Sequence, residues 1–173
     1  GGLHGVGISV VNALSSWLVL EVVRDGKRFR QRFAAGEKVS DLEVVGTEEG
    51  SGTSIHFMPD PEIFDVDARL DYGRLARRLR QLAFLVAGLR IEVNDRRESN
   101  SNVFHDEGGL TAFVSHVNRQ RPPVHPDPIL LEGEDQGISV EVSMQWTSLY
   151  AEDLYSFVNT IRTPDGGTHV DGL

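Results

Sequence analysis

The chain has 173 residues, 39% apolar and 25% charged, with a net charge of −9 and no cysteine. This is a globular composition, long enough for one large or two small domains, and it excludes disulfides and thiolate metal sites. No apolar run approaches the roughly 18 residues of a membrane span. Residues 1–108 (17 acidic, 14 basic) and 109–173 (9 acidic, 3 basic) are both too acidic overall for a free-standing nucleic-acid binder.

Four of the first seven residues, Gly1-Gly2-Leu3-His4-Gly5-Val6-Gly7, are glycines. Such a run can aim several backbone N–H groups one way, because no Cβ blocks a tight turn or a close approach. Ile8 to Ser15 follow with no Pro or Gly, and Val6, Val10, Val11 and Leu14 form a helical stripe. A glycine loop feeding a helix start is an anion site by construction, since orphan N–H groups and the positive end of the helix dipole coincide. The natural anion is a phosphate. A motif that begins at residue 1 reads as a piece cut from a larger protein. The start is neither a basic nor an apolar leader, and a chain without cysteine suits a reducing cytoplasm.

Leu18 to Arg24 reads as a strand, Asp25-Gly26 as a type I′ hairpin turn, and Lys27 to Phe33 as an alternating strand. Phe29 and Phe33 share one face, and Arg28, Arg30 and Arg32 form a solvated row on the other. Asp41 to Val45 and Thr53 to Met58 are further strands, separated by a polar turn over Gly46 to Gly52. Pro59 and Pro61 stop the second of these. From Asp71 the period becomes helical, with Tyr72, Leu75, Ala76, Leu79, Leu82, Ala83 and Val86 on one face and Gly88 as the C′ residue. Leu89, Ile91 and Val93 alternate as a strand. Asn94 to Asn102 is polar and predicts a mobile turn, after which Phe104 and His105 return along the sheet. Gly108-Gly109 is placed as a domain boundary. Leu110 to Asn118 is a short helix with Phe113 inward. Ile129 to Leu131 leads through a hairpin at Gly133 to Gly137 into Ile138 to Trp146, whose alternation predicts one core face and one wet face. Tyr155 to Ile161 is a last strand. The sum is two α+β pieces.

A bare glycine pattern also fits a tight turn without a ligand. It is not a dinucleotide fingerprint, because no parallel βαβ unit follows and the nearest acid, Glu21, lies inside an antiparallel hairpin. It is not a Walker loop, since no Gly-Lys-Ser/Thr is present. His4 has three open roles: general base, metal ligand, or a loop residue beside phosphates. No ligand partner sits at metal spacing. His56, His105, His125 and His169 are scattered and read as structural or surface residues. Asp60 and Glu62 flank Pro61 in a solvated turn, and Trp17 and Trp146 read as core anchors.

The whole pattern is more specific than its parts. Gly1 to Ser15, then Gly52-Thr53 opening a strand, then Pro59-Asp60-Pro61-Glu62-Ile63-Phe64, resemble the ATPase region of bacterial type II topoisomerases, the gyrase B subunits and their topoisomerase IV counterparts. Phe104 to Gly109, Met144-Gln145-Trp146, Phe157-Val158-Asn159 and Gly166 to Leu173 resemble the transducer domain that follows it. The resemblance runs over essentially the whole chain in order. His4 to Ser9 and Thr168 to Leu173 lean toward topoisomerase IV. Leu79 to Leu85, Gly137 to Trp146 and Phe157 to Asn159 lean toward gyrase, which is the reading taken.

The resemblance implies an α+β, split nucleotide-binding (GHKL-type) sheet-and-helix sandwich, incomplete at its N-terminus. It places the ATPase part at residues 1–108 and the start of the transducer at 109–173. ATP and Mg2+ are the implied cofactors. Gly2, Leu3, His4, Gly5, Val6 and Gly7 match the end of the ATP lid, which wraps the β- and γ-phosphates. Thr53 matches the threonine that reaches the adenine edge through its hydroxyl and a water. The family's general-base Glu, Mg2+-holding Asn and adenine-reading Asp fall upstream, and the transducer Lys downstream. No catalytic or metal residue is therefore expected here, and the chain alone is expected to be inactive. Implied partners are double-stranded DNA, the DNA-cleaving gyrase A-type subunit and a second B copy in an A2B2 complex, with no membrane. The alternatives are the B-type subunit of a topoisomerase IV, or a related ATP-driven conformational module without a topoisomerase role.

Overall fold

The computed structural model describes residues 5–65 and 69–173 and divides into two compact units, Gly1–Arg69 and Leu70–Leu173. In the first unit, helix α1 (Gly7–Ala13) leads into strand β1 (Ser15–Arg24), which pairs antiparallel with β2 (Lys27–Ala34). Strands β3 (Glu37–Lys38) and β4 (Glu43–Thr47) share the outer edge of β2, and β5 (Gly52–Pro59) pairs with the other edge of β1. The β1–β2 turn is the expected type I′ hairpin, with Asp25 at φ 52° and Gly26 at φ 72°. A second turn of the same kind, at Ala35 and Gly36 with φ of 46° and 86°, creates β3, which the sequence pattern did not announce.

Helix α1 is shorter than its stripe suggested, and β1 starts earlier. Ser15 is buried, and its hydroxyl donates to the Val11 carbonyl at 2.6 Å, satisfying the last helical turn where the strand begins. Asn12 Nδ2 donates to the Gly36 carbonyl at 3.1 Å and pins the helix to the β2–β3 turn. Only part of the stripe is covered: Val11 and Leu14 are half-buried, while Val6 and Val10 are exposed.

Pairing fixes the two faces of the sheet, because directly opposed residues in an antiparallel ladder point the same way. Leu18, Leu20, Val22, Phe29 and Phe33 share one face, and Val19, Glu21, Val23 and the arginine row share the other. That row is not simply solvated. Arg30 Nε donates to Glu21 Oε1 at 2.7 Å, Arg28 Nη1 lies 3.6 Å from Glu21 Oε2, and Arg28 Nε donates to Glu48 at 2.7 Å. Only Arg32 is left to solvent.

In the second unit, helix α2 (Tyr72–Leu85) is capped by Asp71, whose carboxylate accepts the Arg74 N–H at 2.8 Å. It packs on the hairpin β6 (Ile91–Asp95) and β7 (Asn100–Phe104), where Ala83, Val93 and Phe104 form the buried core against Tyr72, Ala76, Leu79 and Ile91. The helix stops at Leu85 with Val86 as C-cap, so Gly88 falls one place beyond C′. It keeps a left-handed φ of 79° and donates its N–H to the Asp106 carbonyl. The segment 94–102, expected as a mobile turn, is mostly ladder: Asn94 pairs with Ser101 and Asp95 with Asn100. Arg97 grips Asp95 with both Nε (2.9 Å) and Nη2 (2.7 Å), which lowers the Asp95 carboxyl to about 2.

Helix α3 (Gly109–Asn118) buries Phe113 against Phe84 of α2, with ring centroids 5.9 Å apart. Strands β8 (Ile129–Asp135) and β9 (Ile138–Met144) form a hairpin around Gln136 and Gly137. The alternation of β9 is present but its apolar face is not core: Ile138 is 68% and Val140 54% exposed. Periodicity reports which side chains share a face, not how far the face is covered: Val142 and Met144, toward the end that meets α3, are half-buried. Trp146 is likewise 57% exposed, leaning on the His125 ring rather than anchoring a core. The last strand predicted over Tyr155 to Ile161 is a tight hairpin instead, β10 (Phe157–Val158) and β11 (Ile161–Arg162), turning at Asn159 and Thr160 with positive φ. Helix α4 (Thr168–Asp171) follows.

Candidate nucleotide site

The glycine run reaches the structure at Gly5. Gly2, Leu3 and His4 lie outside the described residues. Gly5 has φ 64°, a left-handed conformation that costs a glycine little and a β-branched residue much. Val6 is the N-cap of α1 and supplies no side-chain hydrogen bond to the first turn. Its carbonyl accepts the Val10 N–H at 2.9 Å, so the helix is properly started while its leading N–H groups have no side-chain cap among the described residues. No acidic residue occupies the first turn. Among the described residues nothing lies within 4 Å of a Cβ built on Gly5 or Gly7. The described end of the run is therefore an open, positively polarised helix start.

Thr53 lies in β5 directly opposite Val22, which is itself opposite Phe29. The three form a row on the apolar face of the sheet. Ser15 to Val22 is seven residues, about 23 Å at ~3.3 Å per residue, so Thr53 is far along β1 from the end where α1 terminates. Thr53 offers a hydroxyl beside the Val22 side chain, with Phe29 one strand further across, a surface suited to a flat heterocycle with a polar edge. Glu21, one residue from Val22, points to the opposite face and is held by Arg28 and Arg30. Asp60 takes the structural role expected of it, accepting the Glu62 N–H on its side chain at 2.9 Å. Among the described residues no three His, Asp or Glu side chains gather as a bound cation needs. Among the described residues no helix is long and apolar enough to cross a membrane.

A family model for DNA gyrase B matches residues 109–173. Over 174 residues, all of this chain, a DNA gyrase B subunit of Halalkalibacterium halodurans is 51% identical, and one of Enterococcus faecalis is 48% identical over 175 residues. The chain belongs to the DNA gyrase B family. It spans 27% of the length of those relatives. It is also similar to a solved structure, the 43K ATPase domain of Thermus thermophilus gyrase B in complex with an aminocoumarin. The TM-score is 0.88 and the identity 41%, over 98% of this chain and 47% of that one. The B-subunit of the DNA gyrase from Myxococcus xanthus also aligns with TM-score 0.88 at 32% identity. The fold is thus the mixed α+β, GHKL-type fold of gyrase B subunits.

Within that family frame, several features of this chain were not legible in its motifs. Val22 and Phe29 fall in one row with Thr53 only because the β1 register places them there. His116 was passed over, yet among the described histidines it is the one whose ring is held below the usual pKa, first by burial and then by Arg119 and Arg80, against an opposing pull from Asp106.

Proposed function

We propose that this chain forms part of the ATP-operated gate of a type II DNA topoisomerase of the gyrase type. Gly2 to Gly7 cradle the β- and γ-phosphates of ATP, and Thr53 reaches the adenine edge through its hydroxyl and a water. The observation that carries this reading is the left-handed Gly5 opening onto the α1 start, which has no side-chain cap. Residues 1–108 belong to the ATPase domain and 109–173 to the transducer, a division supported by the start of the family match at residue 109. The packing of α3 on α2 makes the second compact unit span that division.

In the working enzyme, ATP closes a dimeric gate over a DNA segment, and hydrolysis and release reset it. The B-type subunit acts with a gyrase A-type subunit and double-stranded DNA in an A2B2 complex in the cytoplasm. What this chain contributes is positioning: backbone N–H groups that meet developing negative charge without reorganising. Bound Mg2+ would neutralise charge between the phosphates, but the described residues offer no ligand cluster for it. The hydrolytic step is assigned to no residue here.

A full-length B-type protein carrying these residues, reconstituted with its A-type partner, is expected to introduce ATP-dependent negative supercoils into relaxed circular DNA. Relaxation or decatenation alone would overturn the gyrase assignment in favour of the topoisomerase IV type. The 173-residue chain by itself is expected to show no ATP turnover in a phosphate-release assay. Turnover at the full-length protein's rate would mean that a base and a metal ligand are present after all.

The adenine contact has its own test. Thr53→Val in the full-length protein replaces a hydroxyl on an exposed strand by an isosteric methyl, which changes β-strand fitness by at most a few tenths of a kcal/mol. Loss of one hydrogen bond to the base is expected to weaken adenine-competitive inhibitors roughly 5- to 10-fold, from ~1 kcal/mol. Unchanged inhibitor affinity at unchanged melting temperature would remove Thr53 from the site.

A further inference from the structure

A cleft of about 320 Å³ at the C-terminal end of α3 is lined by His116, Val117, Arg119, Gln120, Arg121 and Tyr155, with no carboxylate among them. In a chain of net charge −9 that lining stands out. Arg119 Nη1 lies 3.5 Å from His116 Nε2. A guanidinium can only donate, so in this contact His116 Nε2 is the acceptor. Two more guanidiniums border the same walls. Arg80 lies over the Phe104 ring, with its Cζ 5.1 Å from the centroid, and is close enough to push protons off His116. Arg162 lies over the Tyr155 ring at 5.2 Å. Among the described residues no carboxylate is within ion-pair distance of Arg80, Arg119 or Arg162. Only Arg121 is neutralised, by Asp153, which fixes one wall.

Aromatic rings orient a guanidinium without cancelling its charge, unlike carboxylates, so the field of these three persists in the cleft. Charge-assisted, bidentate N–H donors are the natural complement of a phosphate. We propose that this cleft is a phosphate-binding site, with Arg119 as its principal donor, His116 and Tyr155 as walls and Arg80 and Arg162 as flanking cations. It lies wholly within Leu70–Leu173 and shares no residue with the proposed ATP cradle. A bound dianion counters the push of Arg119 and Arg80 on His116 and adds to the opposite pull of Asp106. Protonation of the ring at Nε2 then becomes easier, with Arg119 turning from that nitrogen to the anion. The phosphate comes either from a nucleic-acid backbone or from a free polyphosphate.

The test uses the 173-residue chain. The His116 ring signal is titrated by NMR in inorganic pyrophosphate and in chloride at equal ionic strength. Pyrophosphate is expected to move the His116 midpoint up by about half a pH unit or more, as a nearby opposite charge does. Arg119→Gln is expected to abolish the difference, Arg119→Lys to restore part of it, and Arg162→Gln to reduce it. In a second arm, fluorescence anisotropy of a labelled duplex of about 20 base pairs is followed against salt. If the backbone is the source, Arg119→Gln lowers the slope of log affinity against log salt by about one. A pyrophosphate response without any DNA effect of Arg119→Gln assigns the site to free polyphosphate. Identical His116 midpoints in pyrophosphate and chloride, with DNA binding indifferent to Arg119→Gln, overturn the proposal.

Discussion

Gly5→Val in the full-length protein is expected to abolish measurable ATP binding while leaving the sheet folded. The physical reasons separate cleanly. At φ 64° a β-branched side chain costs about 1–3 kcal/mol of backbone strain, and the loop relieves it by leaving the left-handed region. That rotation redirects the N–H groups that the proposed cradle would aim at the phosphates. Two lost charge-assisted hydrogen bonds, at ~1.5–3 kcal/mol each, are worth roughly 100-fold or more in affinity. A Cβ at Gly5 meets nothing within 4 Å among the described residues, so their packing gives the fold no reason to fail. Gly7→Val is the companion variant. Gly7 has no positive φ and its Cβ also points into open space, so any loss of affinity there reports a clash with the ligand rather than strain. Isothermal titration with a non-hydrolysable ATP analogue, beside a melting curve, measures both. Wild-type affinity in Gly5→Val would refute the cradle.

Phe113→Ala is expected to give the largest loss of stability, about 3–5 kcal/mol, from lost transfer energy and the cavity left behind. Phe113 is buried and meets Phe84 at 5.9 Å, Tyr155 at 5.3 Å and Phe157 at 6.2 Å, joining α2, α3 and the β10 hairpin. For a unit of roughly 100 residues, such a change lowers the melting temperature by more than ~12 °C. Chemical denaturation of the full chain, followed by near-ultraviolet circular dichroism, reads it. A loss under about 1 kcal/mol would mean that the aromatic cluster is not the element joining these segments.

Much of the fold was legible because its signals are local. Asp25-Gly26 names its own turn, and the stripe of α2 and its Asp71 cap depend on spacing within one segment. What misled was burial. The alternation over Ile138 to Trp146 is correct as periodicity, but whether a face is covered depends on what packs against it, and here Ile138, Val140 and Trp146 are open. The polar run 94–102 misled the other way. Hydrophilic side chains suggested mobility, while the partner strand and the Arg97–Asp95 pair hold it as a hairpin.

The candidate site divides along the same line. The sequence alone determined that a dense glycine run feeds a helix and that the motifs follow the order of one family, because both are properties of adjacency along the chain. Only the tertiary structure decided that Thr53 shares a face with Val22 and Phe29 while Glu21 is turned away and neutralised. Strand register is set by pairing partners distant in sequence, and a shift of one residue would have reversed the faces. The same holds for the cleft at His116. Its guanidiniums come from α2, the end of α3 and β11, and no spacing within the chain announces that packing gathers them around one cleft.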